Sequence, residues 1–141
     1  MPGVLIVEDD NELREMLKLS LNRRKITVLE ATNGKEAIAH FKPSVTDLIV
    51  TDLIMPEEDG LKVIMTLRGI KPSLKVIAIS GGGKAGPGSY LNMAKVLGAD
   101  AVYSKPFSIN DLISKIEELL KSEQDKWSKC YYLITKYIKI C

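Results

Sequence analysis

Five short apolar runs, separated by stretches of helical periodicity, constrain this chain more than any other feature. Val4–Val7 runs into Glu8, Asp9 and Asp10, Asp47–Thr51 into Asp52, Val76–Ile79 into Ser80, and Val102–Ser104 into Lys105 and Pro106. Ile26–Leu29 supplies the fifth run. A few apolar residues bounded by polar or turn residues read as a buried strand. Between the runs, Leu13, Leu17 and Leu21 recur at four-residue spacing behind a helix cap at Asp10 or Asn11. Asn33-Gly34 is a turn before a helix over Lys35–Phe41, which Pro43 closes. Asp59-Gly60 opens a helix carrying Leu61, Ile64, Met65 and Leu67, and Pro72 precedes the fourth strand. A glycine-rich loop, G-G-G-K-A-G-P-G, leads to a helix over Tyr90–Leu97. Ser108 caps a last helix with Ile109, Leu112, Ile113, Ile116, Leu119 and Leu120. Five β-α units predict a doubly wound parallel sheet in a three-layer α/β/α sandwich.

The sheet brings distant residues together. In an open parallel sheet all strand C-termini share one edge, and ligands bind there. Glu8, Asp9, Asp52, Ser80 and Lys105 each follow or end a strand, so they converge. The set combines hard oxygen ligands for a divalent cation, a central carboxylate, a hydroxyl and an ammonium. It is suited to holding a phosphoryl group.

At 141 residues the chain holds one domain with a proper core and is too short for two ordinary ones. No apolar stretch is long enough to span a membrane, and the start turns acidic at once, unlike a signal peptide. A cytoplasmic location is expected. Residues 123–141 carry four lysines against two acidic residues, which accounts for the whole net charge of +2. The neutral remainder offers no basic footprint for nucleic acid. Cys130 and Cys141 are expected to be free thiols, since no metal-ligand spacing surrounds them.

The acidic pair after strand one, D-L-I-M-P (Asp52–Pro56) after strand three, Ser80 after strand four and K-P-F (Lys105–Phe107) after strand five resemble the receiver domain of two-component response regulators, of the single-domain, chemotaxis type. The resemblance covers about residues 3–121. Each motif alone is weak, but all four in order are specific. The resemblance implies a flavodoxin-like fold with strand order 2-1-3-4-5. It implies that Asp52 is the phosphoacceptor, fed by a sensor histidine kinase or phosphotransfer protein, with a downstream protein target. It implies Mg²⁺ as cofactor, bound directly by Asp9 and Asp52, by Glu8 through water, and by the backbone carbonyl of Ile54. Ser80 would take the switch hydroxyl position, Lys105 would pair with the phosphoryl oxygens, and the Lys105-Pro106 bond would be cis. Such a protein is a signalling phosphoacceptor, with self-phosphorylation and autodephosphorylation, rather than a conventional enzyme. The physics agrees, because phosphoryl transfer needs positioning and charge compensation more than acid-base groups.

The sequence departs from the family at three points. The aromatic residue often found three before the lysine is Val102 here, and Tyr103, one later, faces the opposite side of the strand. The interval from Ser80 to Lys105 is longer than usual, with the excess in the glycine-rich loop. No output domain is expected to follow. The domain is expected to end near residue 122. The tail, 123–141, places Trp127, Tyr131, Ile134 and Ile138 on one helical stripe. This reads equally as a docking or homodimer helix and as a reading-frame remnant.

Blander readings compete. Acidic residues at strand ends are often solvated turn residues, but four aligned signals argue against that. Gly81–Gly83 does not follow the first strand as a dinucleotide loop does, and His40 reads as structural. Two other functions remain in view: a receiver-like interaction module that is never phosphorylated, and a flavin mononucleotide carrier. The intact acidic set argues against the first. Acidic residues where a phosphate loop is required argue against the second.

Overall fold

The computed structural model describes residues 2–54, 60–81, 92–95 and 97–121. The elements are β1 (Gly3–Val7), α1 (Asn11–Asn22), β2 (Thr27–Ala31), α2 (Gly34–His40), β3 (Leu48–Asp52), α3 (Gly60–Ile70), β4 (Lys75–Ser80) and β5 (Ala101–Ser104). Residues 92–95 are also helical (α4), as are residues 109–121 (α5). The strands form one sheet in the order β2-β1-β3-β4-β5, and every neighbouring pair is parallel. This is the flavodoxin-like order that the resemblance implied. The glycine-rich loop from Gly82, most of the predicted Tyr90–Leu97 helix, Met55–Asp59 and the tail from Ser122 lie outside the described residues.

The period-2 alternation of strand side chains divides the core in two. Val4 and Ile6 pack with Leu17 and Leu21 of α1 and with Leu112, Ile113 and Ile116 of α5. Leu5 and Val7 pack on the opposite face with Ala37 of α2, with Val63, Ile64 and Leu67 of α3, and with Ala94 of α4. Strands covered on both faces read as continuous apolar runs, which is why β1 and β3 are buried at every position. A one-residue slip would exchange the two faces. The pairing of Val4 with Leu48 and of Val7 with Thr51 is therefore strongly specified.

Several local expectations are corrected. The second strand starts at Thr27, one residue later than predicted, and continues through Glu30 to Ala31. Lys25 has φ 60°, so the chain is still turning there. β2 is an edge strand, so its sequence is mixed: Glu30 lies within it and takes ion pairs from Arg14 and Lys18 of α1. Asn33 is not merely part of a turn. Its side chain caps α2 by accepting from the Glu36 amide at 2.8 Å, and Glu36 reaches back to the Thr32 amide. Met65, named with Leu61, Ile64 and Leu67 among the apolar residues of this helix, is 60% exposed, whereas Val63 is buried.

Candidate phosphoacceptor site

Each site residue owes its position to a strand end. β1 delivers Glu8 and Asp9 into a loop that Asp10 closes by capping α1, accepting from the amides of Glu12 and Leu13. β3 ends on Asp52, β4 on Ser80, and β5 runs into Lys105. The Lys105-Pro106 bond is cis. Gly60 lets α3 begin against the end of β3. A Cβ there would collide with the Asp52 carbonyl oxygen and lie 2.6 Å from Leu53 Cα.

The five predicted side chains gather at the C-terminal edge. Glu8, Asp52 and Ser80 are buried, whereas Asp9 is exposed. One carboxylate oxygen from each of Glu8, Asp9 and Asp52 lies within 4.8 Å of the other two. Lys105 Nζ donates to Asp52 Oδ2 at 2.8 Å and to Glu8 Oε1 and Oε2 at 3.2 and 3.1 Å. The second Asp52 oxygen accepts the Ile54 amide at 2.9 Å. Ser80 Oγ is buried and has no hydrogen-bond partner among the described residues. Such a hydroxyl carries an unmet desolvation cost and is free to bond an incoming acceptor. Gly81 leaves room for the lysine, since a Cβ there would stand 2.8 Å from Lys105 Cδ.

The charges are unequal: one ammonium serves two buried carboxylates. Burial works against the Lys105 charge, but its hydrogen bonds and charge interactions with Asp52 and Glu8 outweigh this and hold it above its ordinary range. Burial pushes Glu8 the other way for an acid, up to about 7, against the Asp10 amide and Lys105. Opposed effects on two partners of one ion pair have a simple cause. Lys105 has two carboxylates and keeps its proton, while Glu8 shares its cation with Asp52, its shorter contact.

Sequence reasoning missed Arg14, whose guanidinium donates to the Glu8 carbonyl oxygen at 2.8 Å. A backbone acceptor is available at any residue type, so no motif marks it. The sequence did place Tyr103 correctly. It packs with Phe107 on the α1–α5 face, ring centroids 6.2 Å apart, while Val102 packs on the opposite face.

Residues 4–117 match the response regulator receiver domain family. The chain belongs to that family. This receiver is 34% identical over 121 residues to the response regulator receiver protein CpdR of Brucella abortus (strain 2308), covering 85% of the chain and 98% of that protein. The CheY-like receiver domain protein of Methanospirillum hungatei JF-1 superposes with a TM-score of 0.80 at 25% identity, covering 89% of this receiver and 98% of that chain. TrrA of Thermotoga maritima, solved in complex with Mg(2+)-BeF, superposes with a TM-score of 0.71 at 29% identity over 84% of this receiver and 99% of that chain. The receiver spans about half the length of the curated transcriptional regulators it matches, from 48% to 53%. It is a phosphorelay signalling receiver, and receivers of this family work with sensor kinases and bind a divalent cation in an acidic pocket. Among the described residues no helix is long and apolar enough to cross a membrane.

Proposed function

We propose that Asp52 accepts a phosphoryl group from a phosphohistidine on a sensor histidine kinase, and that Glu8, Asp9, Asp52 and the Ile54 carbonyl hold Mg²⁺ beside it. One observation supports this most: a nearly buried carboxylate is bracketed by two further carboxylates, a shared ammonium and an unpartnered hydroxyl. The three carboxylates suit a small hard cation that takes about six oxygens and keeps several waters. Their pocket already accommodates a cationic group, the Lys105 ammonium between Glu8 and Asp52. When bound, Mg²⁺ supplies charge neutralisation for the carboxylates and the phosphoryl oxygens.

The chain's own residues do the rest. The Ile54 amide fixes Asp52 through Oδ1, and an Asp52 oxygen attacks phosphorus. The P–O bond forms as the P–N bond to the donor imidazole breaks, and the imidazole nitrogen takes up a proton. Lys105 moves its hydrogen bonds from Asp52 and Glu8 to the phosphoryl oxygens, and Ser80 donates its free hydroxyl to another. Attack of water on phosphorus later releases inorganic phosphate and restores the carboxylate. Output goes to a protein partner within the cytoplasm, not to nucleic acid directly. The domain ends near residue 122, and a homodimer is open to the tail.

Incubation with acetyl phosphate and Mg²⁺ tests the site. The intact mass of the wild type rises by one phosphate, and Asp52→Asn stays unmodified. Equal labelling of the two sinks the assignment of Asp52. A wild type that takes up no phosphate from this donor or from a phosphorylated kinase leaves the unphosphorylated interaction module in its place.

A further inference from the structure

The Asp9 carboxylate is exposed, and no side chain among the described residues holds it. Its position is therefore inherited from the backbone. That backbone is held from both sides of Glu8. The Glu8 amide donates to the Ala31 carbonyl of β2 at 3.1 Å, and the Glu8 carbonyl accepts from Arg14 Nη1 at 2.8 Å. The Glu8 carbonyl and the Asp9 amide belong to one planar peptide unit, so the group that fixes one fixes the plane from which Asp9 departs.

Arg14 is itself well anchored. Nη2 donates to Asn11 Oδ1 at 2.6 Å, and Nε lies 3.4 Å from Glu30 Oε1. Lys18 takes the other Glu30 oxygen at 3.0 Å. The side chain is only 14% exposed. A guanidinium presents several donors in a fixed fork, whereas an ammonium is a point donor. Only the fork spans a strand-end carbonyl, a helix-start amide group and an edge-strand carboxylate together.

We propose that Arg14 is a positioning residue for the metal site, fixing the Glu8–Asp9 peptide so that Asp9 faces the same point as Glu8 and Asp52. The inference rests on the reading that these carboxylates bind Mg²⁺. Outer contacts of this kind commonly affect metal affinity by about tenfold or more.

The test uses the full chain. Mg²⁺ affinity is measured by calorimetry, amide exchange at Asp9 is followed without metal, and urea unfolding tracks stability. Arg14→Met weakens Mg²⁺ binding about tenfold and speeds Asp9 exchange. Arg14→Lys recovers part of the loss, since it reaches one acceptor but not three. Glu30→Gln leaves Mg²⁺ affinity within about twofold, because the bond to the Glu8 carbonyl survives. Should Arg14→Met fail to fold, Arg14→Lys carries the test with a loss of about threefold. Folded Arg14 variants that bind Mg²⁺ like the wild type overturn the proposal, as does a Glu30→Gln loss equal to that of Arg14→Met. A wild type that binds no Mg²⁺ overturns the metal site itself, and the two failures are distinguishable.

Discussion

Glu8 costs the metal-free fold stability at neutral pH, and its removal should show this directly. The carboxyl is 2% exposed, and its only cation among the described residues is an ammonium that sits closer to Asp52. Burial therefore raises its pKa from 4.5 to about 7. Below 4.5 the group is protonated in the folded and the unfolded chain alike. Between 4.5 and 7 the folded chain keeps a proton that the unfolded chain gives up, and stability falls as pH rises. Above 7 both forms are ionised, and the full cost of the buried charge is felt. Integrating the proton difference from pH 5 to pH 8 gives about 2 to 3 kcal/mol. Glu8→Gln is uncharged throughout and escapes this loss. Urea unfolding with EDTA, at pH 5 and pH 8, should show the variant gaining about 2 to 3 kcal/mol on the wild type between the two conditions. The comparison of two proteins cancels the titrating groups that they share and that do not interact with Glu8. Parallel profiles would refute the reasoning. So would a wild type that gains on the variant as pH rises, which would mean that the Lys105 ion pair outweighs burial.

Three further outcomes follow from the same geometry. Ser80→Ala should leave the stability of the unphosphorylated protein unchanged or slightly improved in thermal unfolding, because it removes a buried hydroxyl with no partner among the described residues. It should also reduce the change in amide exchange along β5 on phosphorylation. Asp10→Ala should cost about 1 kcal/mol in urea unfolding through loss of the α1 cap. Gly60→Ala should slow phosphorylation by acetyl phosphate and lower the melting temperature together, because its methyl meets the backbone of Asp52 and Leu53 and not a flexible side chain.

The parallel sheet and the meeting of five candidate side chains at one of its edges were legible because such a sheet leaves its strongest mark in the sequence. Val4–Val7 and the other central runs are apolar without interruption, and a polar residue at each end fixes where the strand stops. Where burial is one-sided, the signal weakens. β2 lies at the sheet edge, so Glu30 sits inside it, and periodicity alone misplaced its start. α3 has apolar residues on several sides, and the sequence could not separate Met65, which faces solvent, from Val63, which does not. Arg14 was beyond reach because its partner is a carbonyl oxygen. The pKa of Glu8 was beyond reach for a related reason: it depends on how one ammonium is divided between two carboxylates, which only coordinates can show.

Lys105 and Glu8 touch across 97 residues of sequence, and Lys105 enters the site from β5, a four-residue strand paired to β4 alone. Short edge elements open locally at less cost than the whole domain. Opening of this edge would free the ammonium while β1, β3 and β4 stay assembled, leaving a folded chain that has lost its cation from Asp52. Anything that clamps β5 against β4 raises the fraction of competent molecules without touching an acidic residue. Anything that loosens this edge would separate Lys105 from Asp52 before the rest of the sheet comes apart.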